Sequence, residues 1–152
     1  MADPFKTGRP DLRRVPDMEI QFVAGFGPIV SDPDAALAFY GTSLGIVFPP
    51  DAPYAATDDL EGVKHFGLWP LAGAAQSCFG TDDWPTDVPA PTAGIEFEMA
   101  SPDAVDDAAA ELEAKGHRLL RAAGDEPWGQ RTARLLDPDG LLVGVVFTPW
   151  MH

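Results

Sequence analysis

The chain has 152 residues, 45% of them hydrophobic, enough for one domain with a substantial core, and carries a net charge of -14. That charge argues against a phosphate-binding basic face, and with it against nucleic acid and an anionic membrane surface as partners. No run of about twenty apolar residues is present to span a bilayer, and a single cysteine, Cys78, rules out an internal disulfide.

Lys6, Arg9, Arg13 and Arg14 precede no apolar segment, so the start does not read as a secretory signal. With one cysteine, a reducing, cytoplasmic setting fits. The acidic balance attracts cationic small ligands, although its plainer role is to keep a small protein soluble.

Residues 1–18 are polar and proline-punctuated, and read as a loose arm available to a partner subunit. A strand follows over 19–30, carried by Ile20, Phe22, Val23, Phe26, Ile29 and Val30 and softened by Gly25 and Gly27. Ser31 or Asp32 caps a helix over 32–44, with Pro33 in its first turn and Gly45 at the stop. Short strands are expected over 46–48, 54–57 and 63–71, and residues 72–79 are small and helix-compatible. Residues 80–92, rich in Pro and Asp, form a linker.

Residues 93–100 alternate cleanly, with Ile95, Phe97 and Met99 on one face and Gly94, Glu96 and Glu98 on the other. Ser101 caps a second helix over 102–115, closed by Gly116, and a short strand is expected over 117–120. A loop bearing Trp128 then leads into two apolar runs around Asp137-Pro138-Asp139-Gly140, the signature of a closing β-hairpin.

The halves repeat one order: strand, capped helix, three strands. Pro33-Asp34-Ala35 matches Pro102-Asp103-Ala104, each triplet opening a helix that ends in glycine. Together with the Trp-Gly pair and the Asp-Pro-Asp-Gly hairpin, this resembles the vicinal-oxygen-chelate superfamily of glyoxalases, extradiol dioxygenases and bleomycin-resistance proteins. The resemblance covers roughly residues 19–150. It implies an α+β fold of two βαβββ modules, forming a curved mixed sheet around a cavity with helices outside. Module one would run over about 19–80 and module two over about 93–150, as a single domain over 19–152. It also implies a homodimer, because one chain leaves the curved face half open.

Superfamily enzymes usually hold one divalent metal through a His or Gln on each module's first strand and a Glu on its last. Counting from Pro33 and Pro102 places the first-strand positions at Gly25 and Gly94. The last-strand positions fall at Gly144 and near Pro70, and none of the four offers a side-chain donor. No metal or other cofactor is therefore expected. His65 is one possible ligand, but a lone donor does not hold a catalytic metal, and its plainer reading is a ring with a local hydrogen-bond partner. His117 reads as exposed and His152, the last residue, as loosely held. Cys78 has no charged neighbour in sequence to activate it.

If Gly94 faces the cavity, so do Glu96 and Glu98, together with Leu142, Gly144 and Val146 of the closing strand. Trp69 and Trp128, or Trp84, would flank the opening. The plainer reading pairs the two glutamates with Arg131 or Arg134, or leaves them solvated. The expected function is a metal-free binding protein for a small, antibiotic-like organic ligand, cationic or aromatic, resembling the drug-sequestering branch. The ligand-binding candidates are Glu96, Glu98, Trp69, Trp128, Leu142 and Val146. The alternative is an enzyme of the same fold (lyase, isomerase or dioxygenase), using unrecognised metal ligands or a Glu96 or Glu98 base.

Overall fold

The computed structural model describes residues 18–152. The arm read over 1–18 lies outside this range except for Met18, which packs on the core of the second half. Among the described residues no helix is long and apolar enough to cross a membrane.

The chain forms an eight-stranded mixed sheet with helices packed against both of its faces. The first half contributes β1 (Phe22–Val30), α1 (Pro33–Leu37), β2 (Ala56–Thr57), β3 (Phe66–Gly67) and β4 (Trp69–Pro70). Helix α2 (Leu71–Phe79) leads to the second half: β5 (Ala93–Glu98), α3 (Pro102–Ala114), β6 (Arg121–Asp125), β7 (Arg131–Leu136) and β8 (Leu142–Phe147). Spatial order is β2-β3-β1-β5-β8-β7-β6, with β4 extending the β3 edge along β1. β1 and β5 pair antiparallel and join the halves, while each half returns its last strand parallel to its first. This is the expected pair of βαβββ modules in one curved sheet.

Module two is the regular one. Ser101 accepts a hydrogen bond from the Ala104 N–H at 3.1 Å and starts α3, whose buried Val105, Ala108 and Ala109 pack on Ala133 and Val145 of the sheet. The Asp137 carboxylate accepts from the Asp139 and Leu141 N–H groups at 2.8 and 2.9 Å, and Gly140 takes φ +91°, so the turn forms as its residues dictate.

Module one departs from the sequence reading in three places. Asp32 does cap the helix, through the Ala35 N–H at 3.1 Å, but α1 passes into a π-helical segment over Ala38–Ser43 and buries no residue of its own. The strand expected over 46–48 is absent, and Val47 is 82% exposed. Pro49 and Pro50 cannot donate to a ladder, and no strand edge is offered to that run. Residues 72–79 form most of a packed helix: Ala74 and Cys78 of α2 join Ile29 and Leu142 in a second core cluster. In module two the short strand lies at β6, after the expected 117–120. Leu119 and Leu120 pack into the core clusters, and pairing with β7 instead holds the run Arg121–Asp125 that follows.

Candidate functional site

A cavity of about 370 Å³ opens on the concave face where the two modules meet. Its floor is β1 and β5, with Gly25, Gly27 and Gly94 beneath it and Glu96 and Arg134 at one end. Its walls are aromatic: Trp69 from β4, Trp128 from the β6–β7 loop, Tyr54, and Trp150 of the turn Pro149–Met151.

Sheet register explains the polar end. Glu96 of β5 pairs with Gly144 of β8, and Gly144 with Arg134 of β7. The three lie side by side on one face, with glycine in the middle. Two strand spacings, roughly 9 to 10 Å, separate the outer backbones, a gap that a glutamate and an arginine bridge together. Arg134 Nη1 accordingly reaches Glu96 Oε2 at 2.9 Å across the glycine. A Cβ at position 144 would stand 3.0 Å from that Nη1 and 3.4 Å from Glu96 Cγ.

Arg134 is 2% exposed and fully engaged on its inner side. Its Nε donates to Ser77 Oγ at 2.9 Å, and Ser77 donates on to the buried Glu126 at 2.8 Å. Thr132 and Arg121 also bind Glu126, at 2.9 and 2.6 Å. The guanidinium carbon lies 4.8 Å from the Trp69 ring centroid, a cation–π contact that fixes the tryptophan face. Gln130 ties the other wall: it accepts from Trp128 Nε1 at 2.7 Å and donates to Glu96 Oε1 at 3.2 Å and Thr148 Oγ1 at 2.7 Å.

The structure brings Glu96, Trp69, Trp128 and Leu142 to the cavity and places Glu98 and Val146 elsewhere. Both of the latter share the face of Glu96, as alternation requires. They lie further along their strands and are completely buried. Glu98 accepts from the Thr148 N–H at 2.5 Å and contacts His152 Nε2 at 2.7 Å, so His152 is held in place rather than loose. The His152 ring also stacks on Phe147 at 4.7 Å. Trp84 is not at the opening either; it packs edge-on to Phe79 and donates to the Val88 carbonyl. The plainer pairing of Glu96 with Arg134 is present. Arg131 instead bridges Asp106 and Asp125 on the surface.

Tyr54, His65, Gln130, Arg134 and Trp150 line the cavity without having been singled out as ligand contacts. Arg134 had a readable signal, a cation in the middle of an apolar hairpin strand. Burial first, then the Glu96 carboxylate, pushes the Tyr54 phenol above its usual value, so it stays protonated. Burial likewise pushes the Cys78 thiol up to about 11, which makes it a poor nucleophile.

The side chains do not fit the superfamily's metal. Parallel pairing sets Phe26 against Phe66, and therefore Gly27 against Gly67, where module two has Glu96 against Gly144. Gly67, not Pro70, is thus the module-one partner of Gly144. Gly25, Gly94, Gly67 and Gly144 carry no donor, and the Arg134 cation fills the corner beside Gly144. Among the described residues no group of three or more His, Cys, Asp and Glu is arranged to hold an ion.

The fold has solved relatives. A Legionella pneumophila protein described as an NAD-dependent benzaldehyde dehydrogenase aligns over 81% of this chain and 96% of its own, with TM-score 0.57 and 17% identity. Streptomyces coelicolor methylmalonyl-CoA epimerase, in complex with 2-nitronate-propionyl-CoA, aligns over 86% and 96%, with TM-score 0.52 and 19% identity. A glyoxalase/bleomycin resistance protein/dioxygenase superfamily member from Vibrio splendidus 12B01 aligns over 84% and 98%, with TM-score 0.51 and 15% identity. No curated protein matches the chain. At such identities these structures speak to the fold alone. A family model, however, matches residues 25–145, spanning both modules, the cavity floor and the closing hairpin, and by that match the chain belongs to the Glyoxalase/Bleomycin resistance protein/Dioxygenase superfamily.

Proposed function

We propose that this protein binds a flat, aromatic small molecule of the antibiotic type in the cavity between its modules, and does so without a metal. The carrying observation is the cavity itself: about 370 Å³, walled by Trp69, Trp128, Tyr54 and Trp150, with an ion pair rather than a ligand set at its polar end. Aromatic walls stack on a flat ligand, and a few fixed polar groups orient it. Because Arg134 neutralises Glu96, shape and stacking outweigh charge in selecting the ligand. A cationic group gains only where it reaches the Glu96 edge that faces the cavity.

The enzyme alternative with a Glu96 base draws no support from the geometry. Both carboxylate oxygens already accept, from Arg134 and from Gln130.

A thermal-shift screen of flat aromatic antibiotics, followed by tryptophan-fluorescence titration, tests the reading. Trp128→Ala is expected to weaken the best hit about three- to tenfold, the scale of one aromatic stacking contact. The fold should survive, because Trp128 is 47% exposed. A hit that binds the Trp128→Ala and Trp69→Ala variants as it binds the parent protein would place the ligand elsewhere.

The protein also works, in this reading, as a homodimer. Module one leaves Leu37, Phe39, Leu44 and Val47 exposed along its helical segment and the loop after it, an apolar surface that a second copy would cover. Light scattering at micromolar concentration should give twice the chain mass; a monomer there rejects the dimer.

A further inference from the structure

One wall of the cavity carries chemistry that binding does not use. β2 and β3 pair Ala56 with Gly67 and Thr57 with Phe66, so the next step of the same register sets Asp58 opposite His65. There Asp58 Oδ1 lies 2.6 Å from His65 Nδ1. A carboxylate only accepts, so in the neutral ring the hydrogen belongs on Nδ1 and the lone pair on Nε2. His65 lines the cavity, and its Nε2 is 3.3 Å from the point that a Cβ on Gly67 would occupy. The Tyr54 ring borders the same hollow, with Cε2 3.1 Å from that point. Glycine at position 67 thus leaves open a gap that any other residue would close over Nε2.

We infer that the Asp58–His65 pair is a general base facing the cavity, able to take a proton from carbon in a flat aromatic molecule seated against the wall that Trp69 and Trp128 form together. This inference rests on the cavity being the ligand site and adds a reaction class to it. Asp58 is a positioning residue: it fixes the tautomer, aims Nε2 and offsets the charge of the imidazolium. The Tyr54 hydroxyl, held in its O–H form, serves as a donor to the anion that develops. His65 is 35% exposed, so the captured proton passes to water. Transfer to and from Nε2 requires no oxidant, metal or second substrate.

Nitrobenzisoxazole is the probe. Its ring opens when a base removes the C–H proton. The C–H electron pair becomes the third carbon–nitrogen bond, and the N–O bond breaks with its pair leaving on the phenolate oxygen. The proton goes to Nε2 and then to solvent, and the coloured cyanonitrophenolate is released. Saturable turnover is expected. His65→Ala should lower kcat/KM by about a hundredfold or more, while tryptophan fluorescence still reports probe binding. Added imidazole should restore part of the rate to that variant, as no structural role would. His65→Gln, checked by melting curve, guards against a loss of fold, and Asp58→Glu should retain more activity than Asp58→Asn. Binding without turnover in the parent protein, full turnover in His65→Ala, or loss of turnover in Glu96→Gln alone overturns the base while leaving the ligand site standing. Absence of saturable probe binding overturns this inference, and the ligand site falls with it only if no flat aromatic antibiotic binds either.

Discussion

Arg134→Met lowers the stability of the protein by about 3 kcal/mol, read as a reduced urea midpoint at unchanged slope. Arg134 is 2% exposed and Glu96 half-buried beside it, so removing the cation strands a carboxylate that only partly reaches water. The Ser77 hydroxyl loses a charged donor in the same change, and the Trp69 ring loses its cation–π contact. Burying charge is itself costly, so the loss comes from breaking the pair more than from any large net worth of having it. The double variant Arg134→Met with Glu96→Leu should therefore regain most of the lost stability. A single-variant loss below about 1 kcal/mol would mean that water screens the pair, as it does at a surface.

Gly27→Ala destabilises by about 3 kcal/mol or more, while Gly25→Ala and Gly94→Ala stay within about 1 kcal/mol of the parent. The three glycines share the cavity floor, so cavity lining does not distinguish them. Space does. A Cβ on Gly27 would stand 2.0 Å from the Gly67 carbonyl oxygen, with the Gly67 carbonyl carbon and nitrogen at 3.0 and 3.1 Å. All three are backbone atoms, so β1 and β3 would have to part. At Gly25 and Gly94 the nearest atoms lie 3.5 and 3.4 Å away, an ordinary contact. Neither residue has positive φ, so alanine even reduces the freedom of the unfolded chain. Thermal melts of the three variants separate the cases, and equal losses at all three positions would show that β1 and β3 do not approach this closely.

Much of the frame is local and was legible in the chain. Ser101 and Asp32 start helices because their oxygens reach the N–H groups three residues on, whatever surrounds them. The hairpin after β7 needs only Asp137 and Gly140. Alternation along β5 fixed which side chains share a face with Gly94, and two of the three tryptophans considered for the opening are there. The absence of donors at Gly25, Gly94 and Gly144 followed from the repeat once the resemblance supplied the metal positions.

Depth and partnership needed the folded chain. Alternation assigns a face, yet Glu96 meets the cavity while Glu98, two residues on, is buried beneath the turn Pro149–Met151 and held by Thr148 and His152. No local pattern near position 98 announces a cover that arrives fifty residues later. The Glu96–Arg134 pair depends on β8 lying between β5 and β7 with glycine at the crossing, a fact of parallel return and register. The Asp58–His65 contact and the near-touch of Gly27 and Gly67 likewise arise from short strands that local propensity does not predict. Hydrogen-bond caps and turn dihedrals act over three or four residues and are written in composition. Which side chains meet across a sheet is decided by which strands become neighbours, and long-range burial selects that only when the whole chain has closed.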